Sequence, residues 1–267
     1  MDLNVVYQED CVGPKGMCQL PDNSVDMILC DLPYGTTACS WDSVIPFDKL
    51  WEQYERVIKT TGCIALFGSE PFSSYLRMSK IDYYKYDWVW EKGRATGFLH
   101  AKNKPLKAHE NISIFSKGTT VHKSQSKNRM FYEPVMMEGK PYTIKKTQVN
   151  SGRLNHRPSQ SNINHVGTVL KNEGYRYPRS VLKFSMRNVG NINPTQKPVA
   201  LFEYLIKTYT NEGAVVLDNC IGSGTTAIAC LNTNRYYVGY ENDPEMYIKM
   251  NDRIEEHKQS LSGDKNG

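Results

Sequence analysis

The spacing of apolar residues along the chain predicts strands that alternate with helices. Seven short apolar runs have the length of buried strands, and five longer stretches have helical spacing. The predicted strands cover residues 5–8, 25–30, 63–67, 84–90, 111–115, 214–217 and 236–240. The predicted helices cover 47–58, 71–78, 199–209, 225–231 and 244–257. This order predicts an α/β fold with a largely parallel sheet and right-handed crossovers.

A polar tetrapeptide, Asp31-Leu32-Pro33-Tyr34, follows the predicted strand at 25–30 directly. Open α/β sheets bind ligands beyond the carboxyl ends of their strands. The tetrapeptide offers a carboxylate, backbone carbonyls stiffened by a proline, and an aromatic ring. Such a set suits an enzyme that holds a flipped-out base by its amino group. A motif this short is equally typical of a polar turn with a packed tyrosine.

A glycine-containing turn follows the predicted strand at 214–217. It begins after Asp218 and contains Gly222-Ser223-Gly224-Thr225-Thr226, which leads into a predicted helix. The free N–H groups and the dipole of a helix N-terminus favour a carboxylate or a phosphate. Glu241 ends the next predicted strand and is placed to bind a ribose diol.

Three ligands compete for this turn. ATP on a P-loop is excluded because no G-x-x-x-x-G-K-[S/T] occurs in the chain. NAD is compatible, since Gly222, Gly224 and Ala227 fit G-x-G-x-x-A and Glu241 follows at a suitable distance. S-adenosylmethionine is compatible as well, because Asp218 could accept the methionine ammonium. The separate Asp31 tetrapeptide favours the methyl donor.

The order of these motifs resembles the β-class DNA amino-methyltransferases, the adenine-N6/cytosine-N4 family, in which the catalytic tetrapeptide precedes the cofactor loop. Besides the two motifs above, the matching segments are LPDNSVD at 20–26, FGS at 67–69, HENI at 109–112 and NPTQKP at 193–198. Three departures occur: Leu32 replaces the commoner Pro, Asn193 stands in place of His, and Asn219-Cys220 stand in place of Pro-Phe. None of these three departures removes an atom on which an assigned catalytic or cofactor-binding role depends.

The resemblance implies a Rossmann-like S-adenosylmethionine-dependent methyltransferase fold with a mostly parallel seven-stranded sheet, in which strand 111–115 is antiparallel. It divides the methyltransferase domain into halves at 1–116 and 191–258, around a target-recognition insertion at 117–190. We expect a disordered tail at 259–267. The implied catalytic residues are Asp31, Leu32, Pro33 and Tyr34. The implied cofactor-binding residues are Asp10, Cys11, Thr195, Gln196, Lys197, Asp218, Gly222, Ser223, Gly224, Thr225, Thr226 and Glu241.

Positive charge is concentrated in the middle of the chain. Between residues 117 and 190, fourteen Lys or Arg residues and three Glu residues give a net charge of +11, whereas the whole chain carries +5 and the remainder therefore −6. Such a segment predicts a phosphate-binding surface, although a solvated basic loop has the same composition. The predicted DNA-binding residues are Lys145, Lys146, Arg153, Arg157, Arg176 and Arg179.

Composition adds few constraints. The chain lacks a run of eighteen apolar residues and a signal-peptide pattern, so no membrane segment or export is predicted. The seven cysteines form no C-x-x-C pair and several fall in apolar runs, which predicts reduced, structural thiols and a cytoplasmic protein. The histidines lack zinc-ligand spacing, so no metal is expected. His109 and Glu110 are interpreted as structural or base-pocket residues.

The predicted function is site-specific methyl transfer from S-adenosylmethionine to adenine N6 in double-stranded DNA, with the base flipped out. Adenine is preferred to cytosine N4 because adenine members of the family usually begin the tetrapeptide with Asp, and cytosine members with Ser. The alternatives are a NAD-dependent oxidoreductase, a protein or RNA amino-methyltransferase, and an inactive DNA-binding protein. A homodimer and a cognate restriction endonuclease are left open as partners.

Overall fold

A computed structural model describes residues 1–35, 43–121, 128–145, 169–186, 192 and 196–263, without the side chains of 145 and 170. The chain divides into two compact units, Met1–Glu133 together with Ser180–Gly267, and Pro134–Arg179. None of the helices in the described ranges is long and apolar enough to cross a membrane.

The larger unit is built on an eight-stranded sheet. Its strands are β1 (Val5–Tyr7), β2 (Val25–Cys30), β3 (Ile58–Gly68), β4 (Tyr84–Thr96), β5 (Lys107–Phe115), β10 (Val181–Lys183), β11 (Val215–Asp218) and β12 (Tyr236–Tyr240). Their order across the sheet is β1-β12-β11-β2-β3-β5-β4-β10. β5 pairs antiparallel with β3 and β4, and the remaining neighbours pair in parallel. The prediction of a mostly parallel sheet with 111–115 antiparallel is therefore confirmed.

Five helices cover the two faces of this sheet. They are α1 (Phe47–Val57), α2 (Phe72–Ser79), α3 (Val199–Tyr209), α4 (Thr225–Asn232) and α5 (Pro244–Gly263). Leu50 of α1 and Leu76 of α2 belong to one buried cluster, whereas Leu205 of α3 and Met250 of α5 belong to the other. The helices therefore form two layers around the sheet.

The central strands are apolar on both faces. In β2, Met27 and Leu29 join the cluster of α3–α5, whereas Ile28 and Cys30 join the cluster of α1 and α2. Successive side chains of a strand point to opposite faces, so a strand between two helical layers needs apolar residues at every position. This is why residues 27–30 form a continuous apolar run in the sequence.

The structure corrects three predicted boundaries. The sheet has eight strands rather than seven, because Val181–Lys183 pairs with β4 inside the predicted insertion. The fourth and fifth strands are longer than predicted and form a hairpin that extends to Thr96 and Lys107. Residues 259–263 are helical rather than part of a disordered tail, and 264–267 lie outside the described residues.

The described residues of the smaller unit form two strand pairs. Met137–Glu138 (β6) pairs with Tyr175–Arg176 (β9), and Tyr142–Lys145 (β7) pairs with Val169–Asn172 (β8), both antiparallel. This unit, Pro134–Arg179, is shorter than the predicted insertion 117–190.

Candidate functional site

The two sequence motifs meet at one edge of the sheet. β2 and β11 are parallel neighbours, with Leu217 opposite Ile28. Asp31 directly follows the last residue of β2, and Asp218 is the last residue of β11. Asp31 and Asp218 are 187 residues apart in the sequence, and strand pairing brings them side by side at the carboxyl ends of two strands.

The tetrapeptide is organised around the Asp31 carboxylate. The Tyr34 hydroxyl donates to Asp31 Oδ1 at 2.6 Å, and the Tyr34 ring packs on Phe72 at 5.1 Å between centroids. Burial, together with the Asp31 charge, raises the pKa of Tyr34, so this hydroxyl stays a donor. Leu32 is buried, which anchors the turn in the core.

A buried chain of ions extends from Asp31. Lys197 Nζ contacts Asp31 Oδ2 and lies 3.5 Å from Glu110 Oε2, and Lys92 Nζ contacts Glu110 Oε1. Lys92, Glu110 and Lys197 are each less than 10 % exposed. Alternating charges at this depth compensate one another. The Lys197 side chain, predicted to serve the cofactor, thus lies against the tetrapeptide, while its carbonyl faces Thr225 Oγ1 at 3.4 Å.

The ion chain holds Lys197 and Glu110 in their charged forms. Burial alone would lower the pKa of Lys197, but the carboxylates of Asp31 and Glu110 outweigh it and raise that pKa. Burial alone would raise the pKa of Glu110, but Lys197 and Lys92 outweigh it and lower that pKa. The cationic Lys197 therefore faces Asp31 throughout the neutral pH range.

Asp218 is a buried carboxylate of a different kind. It accepts hydrogen bonds from Thr226 Oγ1 and from the backbone N–H of Cys220 at 3.2 Å. No salt bridge to Asp218 is formed among the described residues. Burial outweighs the hydrogen bonds and raises the pKa of Asp218 to about 7. A cation placed against this carboxylate would relieve the cost of its burial.

The glycine turn brings backbone groups to the same edge. Gly224 has a φ of 77° and precedes the first residue of α4, and a Cβ there would lie 2.8 Å from Met250 Cγ. Gly222 donates its N–H to Glu241 Oε2 at 3.0 Å, and Asp243 donates to Oε1 at 2.9 Å. Burial raises the pKa of Glu241. The turn thus holds Glu241, the residue predicted to bind the ribose, close to the N-terminus of α4.

Asp10 and Cys11, the residues predicted to bind the adenine of the cofactor, follow β1, the strand next to the one that precedes Glu241. The N–H of Glu241 donates to the carbonyl of Tyr7 at 3.1 Å. Asp10 accepts the N–H of Val12 at 3.0 Å, and Cys11 is buried. Asp10, Asp218 and Glu241 therefore follow or end three adjacent strands, β1, β11 and β12.

The departure Asn219-Cys220 has a structural basis. Asn219 is buried, accepts the Tyr54 hydroxyl at 2.5 Å and donates to the sulfur atoms of Cys11 and Cys220, each at 3.5 Å. Burial raises the pKa of the neighbouring Cys30 to about 12, so that thiol is neutral. The Asn219 amide is therefore hydrogen-bonded at both its oxygen and its nitrogen, directly before the glycine turn.

Some of the remaining predicted site residues have described contacts, and others lie outside the described residues. Gln196 is buried and accepts the N–H of Ile192 at 3.2 Å. In the smaller unit Arg176 donates to the carbonyl of Lys140 at 2.5 Å and stacks over the Tyr142 ring at 4.5 Å, so it holds this unit together. Arg179 is exposed, and only the backbone of Lys145 is described. Thr195, Lys146, Arg153 and Arg157 lie outside the described residues.

Lys92 is the site residue that sequence reasoning missed. It lies in β4 opposite the β5 segment that carries Glu110, and both side chains are buried. The available signal was HENI at 109–112, where a Glu precedes an apolar strand core. Because the sequence did not show how far the strands extend, the partner of Glu110 could not be identified.

The comparisons with known proteins agree with this geometry. The N6_N4_Mtase model, described as DNA methylase, matches residues 25–251. The type II methyltransferase M.HpaI of Haemophilus parainfluenzae is 27% identical, over 88% of this chain and 69% of that protein. The DNA adenine methyltransferase YhdJ of Escherichia coli K12 is 27% identical, over 87% of this chain and 76% of that protein.

A solved structure has a similar fold. The M1.HpyAVI–SAM complex superposes with a TM-score of 0.59 at 20% sequence identity and covers 93% of this chain and 98% of that one. The fold is therefore that of the S-adenosylmethionine-dependent DNA methyltransferases, as predicted. The chain belongs to the N6/N4 DNA methyltransferase family. The family, its cofactor and its DNA substrate class are those expected from the motifs.

Proposed function

We propose that this protein methylates adenine N6 at a specific site in double-stranded DNA, using S-adenosylmethionine and a flipped-out base. The juxtaposition of Asp31 and Asp218 at the ends of two neighbouring strands carries the proposal. Asp31 is an acceptor for the amino group of a base, and Asp218 is an acceptor for an ammonium group. A methyl acceptor and a methyl donor bound to them would be adjacent.

The donor set fits the cofactor. The Asp218 carboxylate suits the methionine ammonium because burial disfavours its charge until a cation arrives. The backbone and hydroxyls of the Gly222–Thr226 turn suit the methionine carboxylate at the N-terminus of α4. Glu241 is assigned to the ribose hydroxyls, and Asp10 with the Cys11 backbone to the adenine. When bound, the cofactor supplies an electrophilic methyl group on a sulfonium.

Asp31 is assigned to the amino group of the target base. Its carboxylate and the carbonyl of Leu32 would accept the two amino hydrogens, which draws the nitrogen lone pair out of conjugation and aims it at the methyl carbon. These two acceptors would hold the amino nitrogen in line with the donor methyl for a direct displacement, and the Asp31 carboxylate would take up the proton that the nitrogen releases. Positioning and electrostatics supply most of the acceleration.

Lys197 and Tyr34 keep the Asp31 carboxylate in place. Lys197 contacts one oxygen and the Tyr34 hydroxyl donates to the other, so the carboxylate plane has two anchors. Tyr34 is also assigned to stack on the flipped base, a contact worth roughly 1–3 kcal/mol in nucleic-acid sites. Thr195 and Gln196 are assigned to the methionine end from the family pattern.

Loss of Asp31 tests the mechanism. Asp31→Ala should abolish methyl transfer and leave cofactor affinity within a few fold, because the contact matters in the transition state. Single-turnover rates and cofactor titration measure the two effects. Substantial turnover by the variant would refute the catalytic assignment, and Asp252→Ala, at an exposed position of α5, serves as the control.

The modified base is decided by mass spectrometry. Two observations support adenine: Asp begins the tetrapeptide, and YhdJ is named an adenine methyltransferase. Plasmid DNA methylated in a methylation-free host should yield 6-methyladenine after digestion to nucleosides, with the site mapped by single-base sequencing. A 4-methylcytosine signal without 6-methyladenine would establish the cytosine-N4 alternative.

Several assignments stay predictions. Arg176, Arg179 and the basic residues 145, 146, 153 and 157 are assigned to DNA, and the insertion 117–190, which contains the unit Pro134–Arg179, to target recognition. The homodimer, the cognate restriction endonuclease and the cytoplasmic location are likewise retained from the sequence. Size-exclusion chromatography with light scattering tests the homodimer.

A further inference from the structure

The hairpin between β4 and β5 extends beyond the sheet. β4 runs to Thr96 and β5 begins at Lys107, and these two residues are paired. Between them, Phe98–His100 forms a single 3-10 turn. Gly97, with a φ of 88°, lets the chain reverse into this turn. The tip is closed by hydrogen bonds of His100 to Gly97 (2.9 Å) and of Asn103 to His100 (2.8 Å).

This hairpin leaves the same edge of the sheet that carries the candidate site. β2 is parallel to β3, and β3 and β4 are both antiparallel to β5, so β2, β3 and β4 all end at one edge. Asp31 follows β2 at that edge. Glu110, the buried partner of Lys197, lies three residues after Lys107, roughly 10 Å along the strand. The hairpin thus continues directly from the ion chain of the site.

The tip presents apolar side chains to solvent. Phe98 is 81% exposed and Leu99 is 95% exposed. They are the two most exposed large apolar side chains among the described residues, and they are adjacent in the chain. The hydrogen bonds of the turn hold the two residues at the apex.

The flanks of the hairpin are positively charged. Residues 92–109 contain five Lys or Arg residues and no Asp or Glu. Lys92 is engaged with Glu110, and the other four are Arg94, Lys102, Lys104 and Lys107. An apolar tip between basic flanks is complementary to a base pair between two phosphate backbones.

We propose that the β4–β5 hairpin is a DNA-opening element: Phe98 and Leu99 insert at the target base pair, and Lys102 and Lys104 contact the flanking phosphates. The proposal rests on the proposed function and adds an element outside the predicted recognition segment. Extrusion of a base costs unpairing and unstacking energy, and an inserted apolar side chain compensates by filling the gap.

A double truncation of the tip tests the insertion. Phe98→Ala/Leu99→Ala should lower kcat/KM at least tenfold on a duplex that carries the mapped site. It should also lower the fluorescence of 2-aminopurine at the target position, which reports extrusion of the base. Cofactor affinity and the melting temperature should match those of the native protein. Ile248→Ala, which truncates a 61% exposed residue of α5, is the matched control.

A second test removes the base that pairs with the target and measures methylation by the tip variant. A duplex with an abasic site opposite the target has less pairing to break, so it should restore most of the activity of the tip variant. An equal loss on both duplexes, or no loss on either, overturns the insertion. If the native protein methylates no DNA, the proposed function fails as well. If the native protein methylates the duplex and the tip variant does so equally well, the hairpin proposal fails and the proposed function stands.

The flanking charges are tested independently of the tip. Lys102→Gln/Lys104→Gln should flatten the slope of log affinity against log salt by about 0.9 for each phosphate that these lysines neutralise. Lys249→Gln/Lys258→Gln on α5 removes the same charge and should leave the slope unchanged. An unchanged slope for the hairpin variant would overturn the phosphate contacts.

Discussion

At the scale of single residues, the neighbouring groups of two buried carboxylates, Glu110 and Asp218, determine in which direction each pKa is shifted. Glu110 lies between Lys92 and Lys197, and its pKa is lowered despite burial. Asp218 has hydroxyl and N–H donors, and burial raises its pKa to about 7. Glu110 thus has two cationic neighbours within the protein, whereas the described residues give Asp218 none, and the proposed cofactor ammonium would supply one.

Cofactor affinity should therefore depend on pH through Asp218. The folded-state pKa of about 7 lies above the unfolded value of about 3.9, so ionised Asp218 costs stability above pH 7, and this cost disappears as the pH falls toward 4. A cationic ligand binds the ionised form. Below about pH 7, S-adenosylmethionine affinity should fall up to about tenfold per pH unit.

Calorimetric titration between pH 5.5 and 8.5 measures this dependence. Asp218→Asn should bind weakly at every pH and lose the decline below neutrality. An Asn variant with the same decline would assign the titration to another group.

The ion chain should be sensitive to removal of one member. Glu110→Gln leaves Lys92 without its buried counter-ion, and breaking a buried pair in this way costs about 3–5 kcal/mol. Denaturant unfolding measures the loss. Glu110→Gln/Lys92→Met should recover part of it because both charges are removed. The exposed pair of Glu245 and Lys249 is the control, since Glu245→Gln should cost about 0.5 kcal/mol or less.

At the scale of elements, charge is divided between two segments. The basic segment 117–190 was evident from composition, whereas the hairpin at 92–109 lies in the remainder, whose net charge of −6 concealed it. Strand pairing, rather than local composition, brings the hairpin beside the site. DNA contacts should therefore come from both segments.

Neutralising part of the basic segment should weaken DNA binding. Lys145→Gln/Lys146→Gln/Arg153→Gln should reduce the slope of log affinity against log salt by about 0.9 for each residue that contacts a phosphate. Fluorescence anisotropy at four or more salt concentrations measures the slope. A slope equal to that of the native protein would mean that these side chains face away from DNA.

At the scale of the whole molecule, one sheet joins the two halves of the site. The pairing of β2 with β11 connects chain segments nearly two hundred residues apart, as does the hydrogen bond of the Val215 N–H to Asp26 Oδ2 at 2.9 Å. A ligand that binds Asp218 and the glycine turn therefore binds only the folded sheet. It should stabilise the larger unit as a whole.

S-adenosylmethionine should raise the melting temperature, and NAD should not. A ligand at one hundred times its dissociation constant stabilises a protein by about 2.7 kcal/mol. Differential scanning fluorimetry with each ligand measures the shift, and Asp218→Asn should abolish it. A shift with NAD alone would favour the oxidoreductase that the glycine pattern left open.

The sequence by itself determined most of the elements. The bounds 25–30, 199–209 and 236–240 match the structure because each segment is mostly buried and has one strong apolar pattern. The antiparallel strand was expected from the family, and the motif order identified the family. Strand ends were underestimated where side chains turn polar, as in β4 beyond Trp90.

The tertiary structure decided which charges meet. Lys197 was itself predicted to bind the cofactor, yet its side chain lies against Asp31 and Glu110. Lys92 has no local signal, because its partner lies on the neighbouring strand. Strand β10, which the sequence did not predict, is three residues long and too short for a periodic pattern. It is defined by its pairing with β4. Contacts of this kind depend on strand order and register, which local spacing does not encode.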